Sequence, residues 1–223
     1  MSQTFRDDAD RYHEFGCHIQ KRLITLFGEV TDGEGYTHGT AQKFISAMNL
    51  LDEGPGGKKG EDIYLDICTP GGYVVDMWAI FDRICQSKCS VIGRVWGEAS
   101  SAGSVILQAC DKRYISQHAY LMLHEGSWGM DHGHNRNAEA AAEQIKRERK
   151  MMVDVFARAM QRDAKYVEDL LIIDKYFYAN EVVKLGLADK VLENSVPEWH
   201  TGDYVKKLTQ KPPVKPVSAK PRR

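Results

Sequence analysis

Apolar positions recur along the chain with two periods, and the switches between them set out the elements. The run RLITLFGEV (22–30) reads as a strand. After a turn-like TDGEG, apolar residues fall at Ala41, Phe44, Ile45, Met48 and Leu51, which is the spacing of one helix face. GPGGKKG (54–60) is a loop, IYLDIC (63–68) a short strand, and Thr69-Pro70-Gly71-Gly72 a tight turn. A helix is expected next, with Val74, Met77, Trp78, Phe81 and Ile84 on one side, and then a strand from Val91 to Trp96. GEASSAGS (97–104) leads into an apolar helix, SVILQAC, and the strand AYLML ends at His124. A polar loop over 125–137 precedes a long Ala/Glu/Lys/Arg-rich helix, Ala138 to Met160, and a shorter one, YVEDLLII, that ends near Asp174. A last helix, Ala179 to Leu185, is stopped by Gly186, and DKVL closes the pattern as a strand. Strands alternating with helices predict an α/β layer fold with parallel pairing and crossover helices.

Composition narrows this to a soluble globular chain. With 223 residues, 43% hydrophobic and 27% charged, it is long enough for one large domain with appendages. No apolar run approaches the ~18 residues of a membrane helix, and the N-terminus MSQTFRDDADRYHEF carries neither a signal nor a transit pattern. Five cysteines, none in a C-x-x-C pair, fit a reducing cytoplasm better than a disulfide scaffold. The net charge of −1 hides an asymmetry: Lys206 to Arg223 holds seven basic residues and no acidic one, leaving 23 basic against 31 acidic in the body. That acidity argues against a nucleic-acid-binding core. The tail also holds four of the seven prolines and reads as an extended, disordered appendage.

Candidate chemistry gathers at two strand-to-helix junctions, CTPGGY (68–73) and GEASSAGS, where backbone N–H groups at a helix start face outward. The second is neither a G-x-S-x-G elbow, since position 99 is Ala, nor a phosphate-binding loop, since no Lys-Ser or Lys-Thr follows. Ser100, Ser101 and Ser104 are each candidates for a helix cap or a nucleophile. A nucleophilic serine needs a base and an orienting group. His124, at the end of an apolar strand, and Asp174, after LLII, suit those roles; each alone is also an ordinary structural residue, the acid fitting either a buried orienting position or a solvated helix end. Asp131, His132 and His134 could bind zinc, but no fourth ligand stands at helical spacing, and two histidines one residue apart in a polar loop are more often solvated.

The order P-G-G, Ser, His, Asp resembles the proteolytic subunit of the Clp protease, ClpP. EDIYLDICTPGGYVVDMWAIFDRI is similar to that family's strand, glycine turn and first long helix. GEASSAGSVIL resembles its nucleophile motif, with Ser101 at the serine position, and YLMLHEG its base motif, with His124. IDKYFYANEVVKLGLAD matches the third block without a gap and puts Asp174 at the acid position. The resemblance implies a ClpP/crotonase-type α/β fold of repeated strand-strand-helix units with a protruding handle helix. The implied domains are an N-terminal segment (1–20), a peptidase domain (21–193, handle about 125–160) and the tail (194–223). It implies a serine endopeptidase with Ser101, His124 and Asp174 as triad, the N–H groups of Gly72 and Ala102 as oxyanion hole, and neither metal nor cofactor. It further implies heptameric rings, stacked as a tetradecamer, an AAA+ unfoldase as partner, unfolded proteins as substrates, extended peptide pairing along YLMLHEGSWG, and a cytoplasmic location.

The chain also departs from the family pattern. Ala102 stands where Met is common, Glu98 where Gln is, Glu125-Gly126 where Gln-Pro is, and Tyr73 where a small residue is. The first twenty residues do not resemble the segment that engages the unfoldase. Rival readings are a Ser–Lys signal-peptide peptidase, which would need a lysine at the base motif, a ClpP-like phage head-maturation protease, a crotonase-type acyl-CoA enzyme and an inactive ring subunit.

Overall fold

Strict alternation dictates the central strand: Ile63, Leu65, Ile67 and Thr69 are buried on one face of β3 (Ile63–Thr69), while Tyr64, Asp66 and Cys68 are half-buried on the other. The structure, a computed structural model, describes residues 12–14, 16–31, 39–53, 61–126 and 135–192. The remaining strands are β1 (Cys17–His18), β2 (Leu23–Phe27), β4 (Val91–Ser100), β5 (Lys112–Ser116), β6 (Tyr120–Leu123), β7 (Lys175–Tyr178) and β8 (Lys190–Leu192). They form one mostly parallel sheet in the order β1-β2-β3-β4-β5-β8, with β6 paired to β4 and β7 to β6; β1–β2 and β6–β7 are antiparallel. The helices are α1 (Thr40–Glu53), α2 (Val74–Cys85), α3 (Ala102–Leu107), α4 (Asn135–Met160), α5 (Ala164–Leu171) and α6 (Ala179–Lys184). The predicted α/β architecture is what the chain adopts.

β4 positions the site because it is longer than its apolar run suggests. Its first half pairs with β5, Ile92–Val95 against Lys112–Ile115, and its second half with β6, Glu98–Ser100 against Tyr120–Met122. The change of partner falls at a bulge, where β3 advances from Ile67 to Thr69 while β4 advances from Val95 to Ala99. Gly97, at φ 81°, supplies the left-handed residue such a bulge needs. The strand thus runs on to Ser100 rather than stopping at Trp96, and it delivers the next residue to the sheet's rim.

Other expectations shift for local reasons. Lys112–Ser116 and Lys175–Tyr178 are strands although both are short and half-exposed and carry no buried apolar alternation strong enough to mark them. α2 buries Met77, Ile80 and Ile84, while Trp78 and Phe81 sit half-buried and edge-on, with ring centroids 5.5 Å apart. α3 begins two residues before the expected Ser104 and ends at Leu107, every residue buried. α4 starts at Asn135 rather than Ala138. α5 starts and ends two residues early: the Asp163 carboxylate caps it by accepting from the Tyr166 N–H at 2.7 Å, and Ile172 and Ile173 lie beyond it, 60% and 63% exposed. The expected loop 54–60, the Asp131-His132-His134 motif and the tail lie outside the described residues. Among the described residues no helix is long and apolar enough to cross a membrane.

A polar cluster around the buried Asp52 carboxylate braces α1 against α2. The Arg83 guanidinium donates to Asp52 at 2.7 Å and to Asn49 at 3.1 Å, joining α2 to α1, and the Ser87 hydroxyl donates to the other Asp52 oxygen at 2.9 Å. Burial opposes ionisation of Asp52, but these donors outweigh it and hold the carboxyl below its ordinary range.

Candidate active site

Ser101 follows β4 directly and adopts φ 51°, ψ −118°, a left-handed conformation that a non-glycine residue holds only when its surroundings over-determine it. The constraints are visible. Its N–H donates to the Met122 carbonyl on β6 at 2.8 Å, and its own carbonyl accepts from Ser104 Oγ at 2.6 Å and Ser104 N–H at 3.0 Å. The local geometry is therefore a strand-turn-helix elbow without the G-x-S-x-G spelling that usually announces one. The three candidate serines separate cleanly. Ser100 is buried and its hydroxyl donates to Glu98 at 2.8 Å; Ser104 is buried and committed to the Ser101 carbonyl. Ser101 stands at the N-cap position of α3 but makes no side-chain cap; its Oγ lies 2.7 Å from His124 Nε2 instead.

His124 is placed by the register of β6, whose Leu121 and Leu123 are fully buried, so that the ring falls at the strand's end beside the elbow. Its Nδ1 lies 3.3 Å from Asp174 Oδ1. A proton on Nδ1, facing the carboxylate, leaves the Nε2 lone pair for the serine hydroxyl. The structure thus brings together three residues that are 23 and 50 positions apart in the sequence. The acid departs from one of its two expectations: the Asp174 side chain is 59% exposed in the subunit, against 17% for His124, because α5 ends early and the carboxylate sits in the turn before β7.

The glycine turn faces the same elbow. Val30 pairs with Gly72 as a parallel bridge, accepting from the Tyr73 N–H at 2.8 Å and donating to the Gly71 carbonyl at 2.7 Å. In that pattern the N–H of Gly72 itself points away from Val30. Ala102 is the first residue of α3, where an N–H has no partner within the helix. Glycine at position 72 has a local packing reason. A Cβ there would come within 1.9 Å of the Val30 carbonyl oxygen, so close packing requires it. Gly71 is the one pressed against the elbow: a Cβ on it would meet Ser101 Cβ at 2.6 Å and Ala102 N at 3.0 Å.

Between the turn, the elbow and α4 lies a small cleft. Ser101 and His124 open into it, and Met77, Val105, Met152 and Phe156 give it apolar walls. Met152 and Phe156 come from the long helix and carry no sequence mark beyond core-like spacing, so reasoning from motifs misses them.

The model of the Clp protease family matches residues 7–195. The chain belongs to the Clp protease family. Its fold is the one that family implies, and at family level its chemistry is that of a peptidase. The block IDKYFYANEVVKLGLAD is largely architectural. Glu181 accepts from the Tyr178 N–H at 2.9 Å, Leu187 is fully buried, and Asp189 pairs with Arg113 at 2.7 Å, fastening β8 to β5.

Proposed function

We propose that this Clp family protein is a serine endopeptidase in which Ser101 is the nucleophile, His124 the general base and acid, and Asp174 the orienting carboxylate. The observation that carries the reading is the 2.7 Å approach of Ser101 Oγ to His124 Nε2 at a serine held in a left-handed elbow. Ser101 Oγ attacks the scissile carbonyl carbon as its proton passes to Nε2. Asp174 holds the Nδ1 proton and stabilises the imidazolium. The N–H groups of Gly72 and Ala102 receive the developing oxyanion; each such donor is worth roughly 3–4 kcal/mol in the transition state. Collapse expels the amine, which takes the proton from Nε2. Water then repeats the sequence on the acyl-enzyme, with its proton going to Nε2 and the serine leaving. The apolar walls of the cleft suit a hydrophobic side chain next to the cleaved bond.

The working form is a chamber of heptameric rings fed with unfolded chains by an AAA+ unfoldase. Support comes from the surface beside the acid: Ile172, Ile173, Tyr176 and Tyr178 are 56–63% exposed, an apolar stretch that a second subunit would cover. Two measurements test the whole. Fluorophosphonate should label wild-type protein on Ser101, and Ser101→Ala should fold, assemble and lose peptide cleavage by about 10⁴-fold or more. Undiminished cleavage by that variant sinks the catalytic reading. A monomer in sedimentation at every working concentration sinks the chamber.

A further inference from the structure

Glu98 belongs to none of the groups just assigned, yet its carboxylate joins the two strands that carry the serine and the histidine. One oxygen, Oε2, accepts from Ser100 Oγ at 2.8 Å and from Tyr120 Oη at 3.0 Å. Ser100 is the last residue of β4, directly before the strained Ser101, and is buried. Tyr120 opens β6, four residues before His124, and stands opposite Glu98 in the parallel register. Period-two alternation places Glu98, Ser100 and Tyr120 on one face, opposite the buried Ala99 and Leu121. Tyr176 and Tyr178 of β7 flank the Tyr120 ring at 5.7 and 5.9 Å and limit its movement.

We propose that Glu98 is a positioning residue for the nucleophile: by accepting both hydroxyls on one oxygen it fixes the rotamer of Ser100 and the spacing of β4 from β6, and so holds Ser101 Oγ within reach of His124. A residue at φ 51° relaxes when its neighbours allow it. The main-chain bond from Ser101 to Met122 fixes one point of the junction, and the Glu98 clamp supplies a second, side-chain point on the preceding residue. A charged acceptor makes stronger hydrogen bonds than a neutral one. The phenol of Tyr120 is pushed above its ordinary range, first by the bond to Glu98 and then by burial. A loosened clamp displaces the nucleophile without touching the apolar cleft, so the effect falls on kcat and not on KM.

This inference rests on Ser101 being the nucleophile, and the test separates the two. The second-order rate of fluorophosphonate labelling at Ser101, and kcat and KM for a fluorogenic peptide, are measured on the assembled full-length protein and on Glu98→Ala, Glu98→Gln, Ser100→Ala, Tyr120→Phe and the Ser100→Ala/Tyr120→Phe double variant. Glu98→Ala should lose about tenfold or more in both labelling rate and kcat, with KM and the thermal midpoint unchanged. Glu98→Gln keeps an acceptor oxygen and should recover most of that loss. The two hydroxyl deletions should each lose part, and together as much as Glu98→Ala. Labelling of Glu98→Ala within twofold of wild type overturns the proposal, as does a Glu98→Gln loss as large as that of Glu98→Ala. If Glu98→Ala fails to assemble, the double variant decides: wild-type labelling there overturns the proposal, and a tenfold loss upholds it. Absence of labelling in the wild type, by contrast, condemns the nucleophile assignment itself.

Discussion

The serine side of the site and the acid side are built to different standards. Ser101 is held by a buried helix, the Ser104 hydroxyl on its carbonyl and a main-chain bond to the neighbouring strand, and Gly71 is packed against it with no room for a methyl group. Asp174 lies in an exposed turn, and its one polar contact among the described residues is the histidine ring at 3.3 Å. The first half is made by the fold of a single subunit. The second is a half-open edge whose exposed Ile172 and Ile173 need cover. On the proposed reading, a site divided in this way keeps its nucleophile ready and makes the orientation of its base depend on what covers that edge.

Three substitutions probe the contrast, beginning with the largest effect. In assembled protein, Asp174→Asn should lower kcat by about 10⁴-fold, because the wrong imidazole tautomer then faces the serine. In subunits dissociated by dilution, the same change should alter the residual rate little, since there the exposed acid is already hydrated. Equal losses in both states would erase the distinction between the two halves. Gly71→Ala probes the well-built half. A methyl group 2.6 Å from Ser101 Cβ, on a backbone at φ 105°, must push the elbow aside. Peptide turnover should fall about 10²-fold, the cost of a displacement near 1 Å, while the ring state is preserved. An active Gly71→Ala enzyme would mean that the elbow is softer than its contacts imply.

The mildest probe lies outside the site. Arg83→Ala leaves the buried Asp52 carboxylate without its main donor and should cost about 3 kcal/mol of stability, or ~6–12 °C in thermal midpoint, with kcat unchanged in the protein that remains folded. Since the folded state holds the Asp52 pKa below its unfolded value, its contribution is fully present above roughly pH 4 and is lost as pH falls through the lower, folded value. In Arg83→Ala that acid-side slope should flatten, as a denaturation series from pH 6 to pH 3 would reveal. A drop in kcat would tie this brace to the site and blur the regional contrast from the other end.

Much of this was legible in the chain. The alternation IYLDIC and the periodic helices were strong enough to fix the layer class, because buried faces demand them. The approach of Ser101 to His124 was reachable only through the order of motifs, since no local pattern distinguishes that serine from Ser100 or Ser104. Their separation depends on a backbone angle and on Glu98, neither of which has a sequence period. The strands Lys112–Ser116 and Lys175–Tyr178 were invisible for a related reason: each gains its conformation from a neighbour's hydrogen bonds rather than from its own apolar content. The two adjacent glycines of the turn look alike in the sequence, and only the Val30 carbonyl against Gly72 and Ser101 against Gly71 tell them apart.

The handover of β4 from β5 to β6 at Gly97 has an energetic corollary. A strand whose two halves answer to different neighbours can come apart at the outer half while the inner half stays zipped. Opening that outer ladder would part the Ser101 N–H from the Met122 carbonyl and carry the imidazole away from the hydroxyl, so a disturbance confined to β6 reaches the site while Ile92–Val95 stays paired with β5.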